Sequence, residues 1–273
     1  MAITLSDFQY LQTLLHSLAG LVLETGKEYL VDSRLEPVAR AEGFDTIARM
    51  IDAVRFQPVN NIHWKIVDAM TTNETSFFRD IYPFEVLRDS VLPELIALRA
   101  PQRQLTIWCC AASTGQEPYS VAILLRECFP AVANWNVRII ATDINEEVLE
   151  RARAGRYRQM EVNRGLAAPL LVKYFRERAA MWEVREDIRN MVDFREMNLV
   201  QPWPFLPKCD LVLLRNVMIY FDVATKRSIL GKVRTVLSPE GYLFLGNAET
   251  TMNLDDNYER ALFGRVVCYK QRR

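Results

Sequence analysis

The sequence predicts an α/β protein, a doubly wound domain on a mostly parallel sheet, preceded by an all-helical amino-terminal segment. Residues 105–120, LTIWCCAASTGQEPYS, read as buried strand, tight loop and helix, the unit that opens such a domain. Strand-like stretches at 136–142, 191–199, 209–214 and 241–246 then alternate with helical patterns, which means a mostly parallel sheet. Residues 1–70, by contrast, show no strand alternation.

In that helical segment Ser6 and Gln9 form a capping-box pattern, and Phe8, Leu11, Leu15, Leu18 and Val22 share a face before Gly26. Glu28 to Ala41 suggests a second helix that Pro37 kinks or splits. A third runs from Asp45, with Ile47, Met50, Ile51 and Val54 on one side. The pattern fits a substrate-recognition cap and a bundle that only shields the sheet equally well.

Residues 60–99 join the bundle to the sheet and contain MTTNETSFFRD. Its hydroxyls and amide, with Phe77, Phe78 and Arg79, suit either a polar-ligand contact or an ordinary capped turn. A helix with Phe84, Leu87, Val91 and Leu95 follows. In the opening unit Pro118 reads as the first helical residue, where a missing N–H is tolerated, followed by Tyr119, Ala122, Ile123 and Leu125.

After NVRIIAT and a helix near 145–155, residues 155–190 break the alternation. Rich in Arg and Glu, with Tyr174, Phe175 and Trp182 between, they read as an inserted subdomain that either meets a partner or carries a solvated charged face. MVDFREMNL restores the sheet with a strand ending near Asn198 and Leu199, and CDLVLL ends at Arg215 and Asn216. A helix through Ile229, Val233 and Val236, the strand GYLFLG, and a last strand or hairpin broken at Gly264 complete the chain.

Composition excludes several classes. Half of the 273 residues are apolar, and Lys plus Arg balance Asp plus Glu at 34 each, so no global field draws nucleic acid or anionic lipid. The five cysteines form no C-x-x-C and read as reduced core thiols; two histidines are too few for a histidine-based metal cluster. Neither a secretory signal nor a membrane-length apolar run is present, which implies a cytoplasmic protein.

The loop after the first strand has a single glycine and neither the dinucleotide nor the phosphate-loop pattern, which disfavours a pyrophosphate. Asp143, ending the second strand, either accepts hydrogen bonds from ribose hydroxyls or N-caps the helix beginning near Asn145. A nucleoside without a phosphate chain fits this site, S-adenosylmethionine being the commonest, so the leading reading is a methyltransferase.

With TNETSFFR, AASTGQEPYS, ATDIN and RNVMIYF in order, the sequence closely resembles the CheR family of chemotaxis receptor methyltransferases over nearly its whole length. The resemblance implies a Rossmann-like class I methyltransferase domain with an inserted small β-subdomain, preceded by an all-helical domain. Mapped onto this chain, these are a helical domain at 1–70, a connecting segment at 71–99 and a methyltransferase domain at 100–273, interrupted near 156–192. It further implies methyl transfer from S-adenosylmethionine to glutamates of the cytoplasmic signalling domain of methyl-accepting chemotaxis receptors, for chemotactic adaptation, with S-adenosylhomocysteine as product. The implied protein is a cytoplasmic monomer recruited to receptor arrays, with no nucleic-acid partner and no direct membrane insertion.

Position by position, the resemblance assigns Asn73, Thr75 and Arg79 to the cofactor from the connecting segment. Glu117 and Asp143 hold its polar groups, Asn198 and Leu199 border the adenine, and Arg215 and Asn216 line the adjacent cleft. Arg79 and Tyr220 are tied most closely to methyl transfer, Tyr220 being alternatively a packed aromatic. A glutamate acceptor, with an ordinary pKa of about 4.3, is already anionic at neutral pH and requires no general base.

Two features depart from the family. Its members meet the acidic receptor with a basic helical face, yet residues 1–70 hold six Lys/Arg against nine Asp/Glu, leaving only Arg34, Arg40, Arg49 and Arg55 as a local cluster. Members that grip a receptor tail peptide have a longer, glycine-containing loop in the insertion, whereas FRERAAMWEVRED is short and has no glycine, which predicts independence of such a tether. The rival functions are methylation of another protein or a nucleic acid, and a non-catalytic scaffold that binds cofactor or product. Amino-methylating enzymes of this fold often carry an Asn/Asp-Pro-Pro-aromatic turn where this chain has RNVMIY.

Overall fold

The computed structural model describes residues 3–272; residues 1, 2 and 273, at the outer limits of the expected domains, lie outside the described residues. The chain forms two compact units, divided between Thr72 and Asn73, and the first also takes in Leu199–Gln201 and Tyr220–Lys226.

The first unit is built from α1 (Leu5–Ala19), α2 (Glu28–Ala41), α3 (Ile47–Val54) and α4 (Asn61–Met70). Their apolar stripes, among them Leu11, Leu15, Val31, Leu35, Met50, Ile51, Ile66 and Val67, are fully buried. Thr4, not Ser6, caps α1: its hydroxyl accepts the Asp7 N–H at 3.2 Å and the Asp7 carboxylate accepts the Thr4 N–H at 3.0 Å. Ser6 lies inside the helix and accepts from Arg55 at 2.9 Å. The helix stops before Val22, because Gly20 takes the left-handed cap at φ 69° and a Cβ there would stand 2.6 Å from Val200. Pro37 does not split α2, since Val31, Leu35 and Ala39 anchor the helix on both sides of it. Helix α3 begins at Ile47 rather than Asp45, capped by Thr46, whose hydroxyl accepts the Arg49 N–H.

The second unit begins with α5 (Tyr82–Val86), a π-helical turn (Leu87–Val91) and α6 (Leu92–Arg99), in place of one regular helix. Pro93 has no N–H to return to the preceding turn, and the wider π-turn absorbs that loss. The strands are β1 (Gln104–Cys110), β2 (Asn136–Asp143), β3 (Arg156–Tyr157), β4 (Phe175–Arg178), β5 (Met181–Val184), β6 (Val192–Glu196), β7 (Cys209–Leu214), β8 (Leu237–Leu245), β9 (Tyr258–Phe263) and β10 (Val266–Gln271). Between them run α7 (Gln116–Cys128), α8 (Glu146–Ala154), α9 (Gln159–Val162), α10 (Ala168–Tyr174), α11 (Glu186–Arg189) and α12 (Val223–Val236).

Seven strands form one sheet in the order β6-β2-β1-β7-β8-β10-β9. The first five are parallel, and β10 runs antiparallel to both β8 and β9. Leu105, Ile107, Trp108 and Cys109 on β1 are all inaccessible, as expected of a central strand covered on both faces. Strand β6 ends at Glu196, short of Asn198. The insertion forms a three-stranded antiparallel sheet, β3-β5-β4, whose β4–β5 hairpin turns on Ala179 and Ala180, both with positive φ. Its Tyr157 is buried and donates to the Thr114 carbonyl at 2.7 Å, seating the insertion against the loop after β1.

All five cysteines are free; burial pushes the Cys109 and Cys110 thiols well up, and Cys209 and Cys268 up to about 12. Among the described residues no cluster of His, Cys, Asp and Glu suits a metal ion, and no helix is long and apolar enough to cross a membrane.

Candidate functional site

The loop after β1 crosses the carboxyl edge of the sheet in a strained path, with Ala111, Ser113 and Gly115 at φ 51°, 50° and 93°. Only the glycine adopts this region freely, so the surroundings must hold the other two. Asp143, at the end of β2, is part of that hold: it accepts the Ser113 N–H at 2.8 Å and the Asn145 N–H at 3.0 Å. Asp143 therefore does not cap α8. Asn145 does, through the Val148 N–H at 3.2 Å. Asp143 is buried with no cation paired to it among the described residues, and burial raises its pKa while the backbone N–H groups pull it down. Helix α7 starts at Gln116 after Gly115, which makes Pro118 its third residue, still within the turn whose N–H groups need no helical partner.

The TNETSFFRD segment folds against this loop. Ser113 donates its hydroxyl to the Asn73 carbonyl at 2.8 Å, and the Phe78 N–H reaches the Ser120 hydroxyl at 2.9 Å. Phe77 is fully buried, edge-on to Tyr157 at 5.0 Å and Phe175 at 5.5 Å. Phe78, Asp80 and Ile81 all have positive φ, a conformation unusual for a bulky residue and most of all for the β-branched Ile81. Arg79 turns back to the Glu74 carbonyl at 3.0 Å, and Thr75 is half-buried.

Arg215, just past β7, ties three segments together. Its side chain is 1% exposed and forks to Glu117 at 2.6 Å and Asp80 at 2.9 Å, while also donating to the Arg79 carbonyl at 2.9 Å. Glu117 is raised by burial, with Arg215 opposing the shift. Next to it Asn216 stands at φ 58°, its N–H donated to Glu249 at 2.9 Å. Two buried polar atoms here have no hydrogen-bond partner, Arg215 Nε and Asn216 Oδ1.

Of the residues singled out in the sequence, Asn73, Thr75, Arg79, Glu117, Asp143, Asn198, Arg215 and Asn216 belong to the sheet unit. Ser113 links Asn73 to Asp143, Arg215 joins Glu117 to the Arg79 backbone, and Met197, beside Asn198, donates its N–H to the Asp143 carbonyl at 2.8 Å. Leu199 and Tyr220 belong to the helical unit. Leu199 is buried there, and Tyr220 is half-buried, its carbonyl accepting the Val22 N–H at 2.9 Å. Asp80, Ser113, Ser120 and Glu249 escaped the sequence reading. The first three sit inside motifs already marked, but Glu249 binds only backbone N–H groups, which leave no trace in a sequence.

The local basic cluster of the helical unit is mostly consumed internally. Arg34 donates to the Met70 and Thr71 carbonyls and the Thr72 hydroxyl, Arg40 pairs with Glu36, and Arg55 pairs with Asp7. Of the four, only Arg49 has no side-chain partner among the described residues.

Two family models match in tandem: "CheR methyltransferase, all-alpha domain" over residues 6–71 and "CheR methyltransferase, SAM binding domain" over residues 73–266. The chain is 39% identical over 269 residues to Chemotaxis protein methyltransferase 1 of Pseudomonas aeruginosa, covering 97% of each chain. It is 36% identical to Chemotaxis protein methyltransferase Cher2 of Pseudomonas putida, over 97% of each chain, and 36% identical to Chemotaxis protein methyltransferase of Vibrio parahaemolyticus, over 98% of each. A seven-stranded sheet with one reversed strand, an all-helical unit before it and matches over almost the full length place the chain in the CheR methyltransferase family, as an S-adenosylmethionine-dependent class I methyltransferase.

Proposed function

We propose that the protein methylates glutamate side chains on the cytoplasmic signalling domain of chemoreceptors. The tandem match to both CheR domains, together with relatives named as chemotaxis protein methyltransferases at 36–39% identity, carries this reading. The residues at the carboxyl edge of the sheet fit the cofactor: a buried acid without a cation, and an unpartnered guanidinium nitrogen and amide oxygen, suit a ligand bearing hydroxyl, amine and carboxylate groups. On this reading Asp143 takes the ribose, and Asn73, Thr75, Arg79 and Glu117 the other polar groups. Asn198 and Leu199 border the adenine, with Arg215 and Asn216 alongside.

When bound, S-adenosylmethionine supplies a methyl on a sulfonium, and a carboxylate that accepts it leaves a neutral thioether and releases no proton. The protein's task is then alignment and exclusion of water, because opposite charges meet and cancel. Arg79 helps align the charged groups, and Tyr220 orients the incoming carboxylate or the donor methyl. The two histidines fit a reaction without a base: His16 pairs with Asp222, and His63 is buried in the cap of α4.

The short hairpin turning on Ala179 and Ala180 supports action that needs no receptor tail tether. Tight binding of an isolated receptor tail peptide would contradict that part. The main reading is tested by transferring labelled methyl to a receptor cytoplasmic fragment and treating the product with mild alkali. Release as methanol is expected of a carboxyl methyl ester; alkali-stable label would mean another acceptor atom and sink the glutamate assignment.

A further inference from the structure

We propose that Glu249 is a positioning residue for the cofactor site, acting through the turn that carries Asn216. The proposal rests on the cofactor-lining role given to Asn216 above. The Glu249 carboxylate accepts three backbone N–H groups drawn from two loops: Gly246 at 2.6 Å and Asn216 at 2.9 Å on Oε2, and Ile219 at 3.2 Å on Oε1. Its own N–H returns to the Gly246 carbonyl at 2.9 Å, closing a tight turn after β8. No Lys or Arg pairs with it among the described residues, so its charge is spent on holding main chain.

That hold fixes Asn216 in a left-handed conformation at φ 58°, which a non-glycine residue keeps only when its surroundings impose it. With the Asn216 N–H taken by Glu249, the side-chain Oδ1 is left buried and without a partner beside Arg215. Gly246 points independently to the same contact. A Cβ there would stand 2.7 Å from Asn216 Nδ2, 2.7 Å from Glu249 Oε2 and 2.8 Å from the Asn216 backbone nitrogen. The two loops lie against each other only because residue 246 has no side chain. Glutamine cannot replace the carboxylate, since its amide offers one acceptor atom and two donors, and a donor would face a backbone donor.

The test compares full-length Glu249→Gln, Gly246→Ala, Asn216→Ala and Asp210→Asn. Asp210 is the control: it clamps the other end of β7, accepting the Thr106 N–H at 2.9 Å and pairing with Arg99 at 2.7 Å. Calorimetry reads the S-adenosylhomocysteine Kd, and thermal melting reads stability. Glu249→Gln and Gly246→Ala should raise Kd about fivefold or more, the order of one hydrogen bond to a charged group. Asp210→Asn should lower Tm at least as far while Kd stays within about twofold. A folded Glu249→Gln that binds like the wild type overturns the proposal, and so does equal weakening in Asp210→Asn. If Glu249→Gln fails to fold, Gly246→Ala decides by the same criterion. Normal binding by Asn216→Ala would instead overturn the role of Asn216, and with it the route proposed, so the two failures are distinguishable.

Discussion

The two ends of β7 are equally deep in the protein and treated in opposite ways. At the amino end the Asp210 carboxylate is used on both oxygens, one by the Thr106 N–H and the other by Arg99, which also reaches Glu240 at 3.4 Å. At the carboxyl end Arg215 and Asn216 each keep a buried polar atom without a partner, and Asn216 is held in a left-handed conformation. The loop after β1 repeats the contrast with Ala111 and Ser113, whereas Arg103 alone precedes that strand with a positive φ. Buried polar groups are ordinarily satisfied; the other orphan among the described residues, Arg55 Nε, lies in the helical unit, so within the sheet unit the unmet capacity falls at this edge, in keeping with the cofactor site proposed above.

The largest effect should come from Arg215→Met, which leaves Glu117 and Asp80 without their cation. Urea denaturation should show a loss of about 3–5 kcal/mol, partly recovered in the double variant with Glu117→Gln. No recovery would mean the guanidinium matters for packing rather than charge. Next, Arg79→Ala and Tyr220→Phe should each slow methyl transfer about a hundredfold with little change in melting; unchanged turnover would remove both from the reaction. Asp210→Asn should cost about 1–3 kcal/mol without touching turnover, and a comparable loss of activity there would erase the contrast between the two ends.

The smallest effect is on pH dependence. Burial raises Asp143 and Glu117 in the folded protein, so the stability they contribute is fully present below the ordinary carboxylate value and is lost as pH rises through the raised values. Asp143→Asn should therefore flatten the fall in urea midpoint of the cofactor-free protein as pH climbs from about 4 to 7. An unaltered slope would assign the pH dependence to other groups.

Much of the sheet was legible because a strand covered on both faces carries a nearly continuous apolar run, which is how residues 107–110, 139–141 and 211–214 announce themselves. Asp143 was equally plain, as an acid ending such a strand. Pairings between distant segments were not. Arg215 and Glu117 are 98 residues apart, and nothing in either motif says that one closes on the other. At the start of α1 the sequence pattern points to Ser6 with Gln9, whereas the cap is Thr4 with Asp7, and in the folded unit Arg55 engages both Asp7 and Ser6 from outside the helix. Counting charges also missed that Arg34 caps the end of α4, because carbonyl acceptors carry no sequence signature.

The bundle's borrowed segments bear on how such genes recombine. Gly20 stands against Val200, Thr225 and Phe221, Leu21 bridges Phe221, and His16 pairs with Asp222. A fragment ending at Thr72 encodes every helix from α1 to α4 but neither of the stretches 199–201 and 220–226 on which the bundle closes. A crossover between two relatives at that junction would join a bundle from one parent to seams from the other. Hybrids of this family should tolerate exchange of the bundle only where those two distant stretches travel with it.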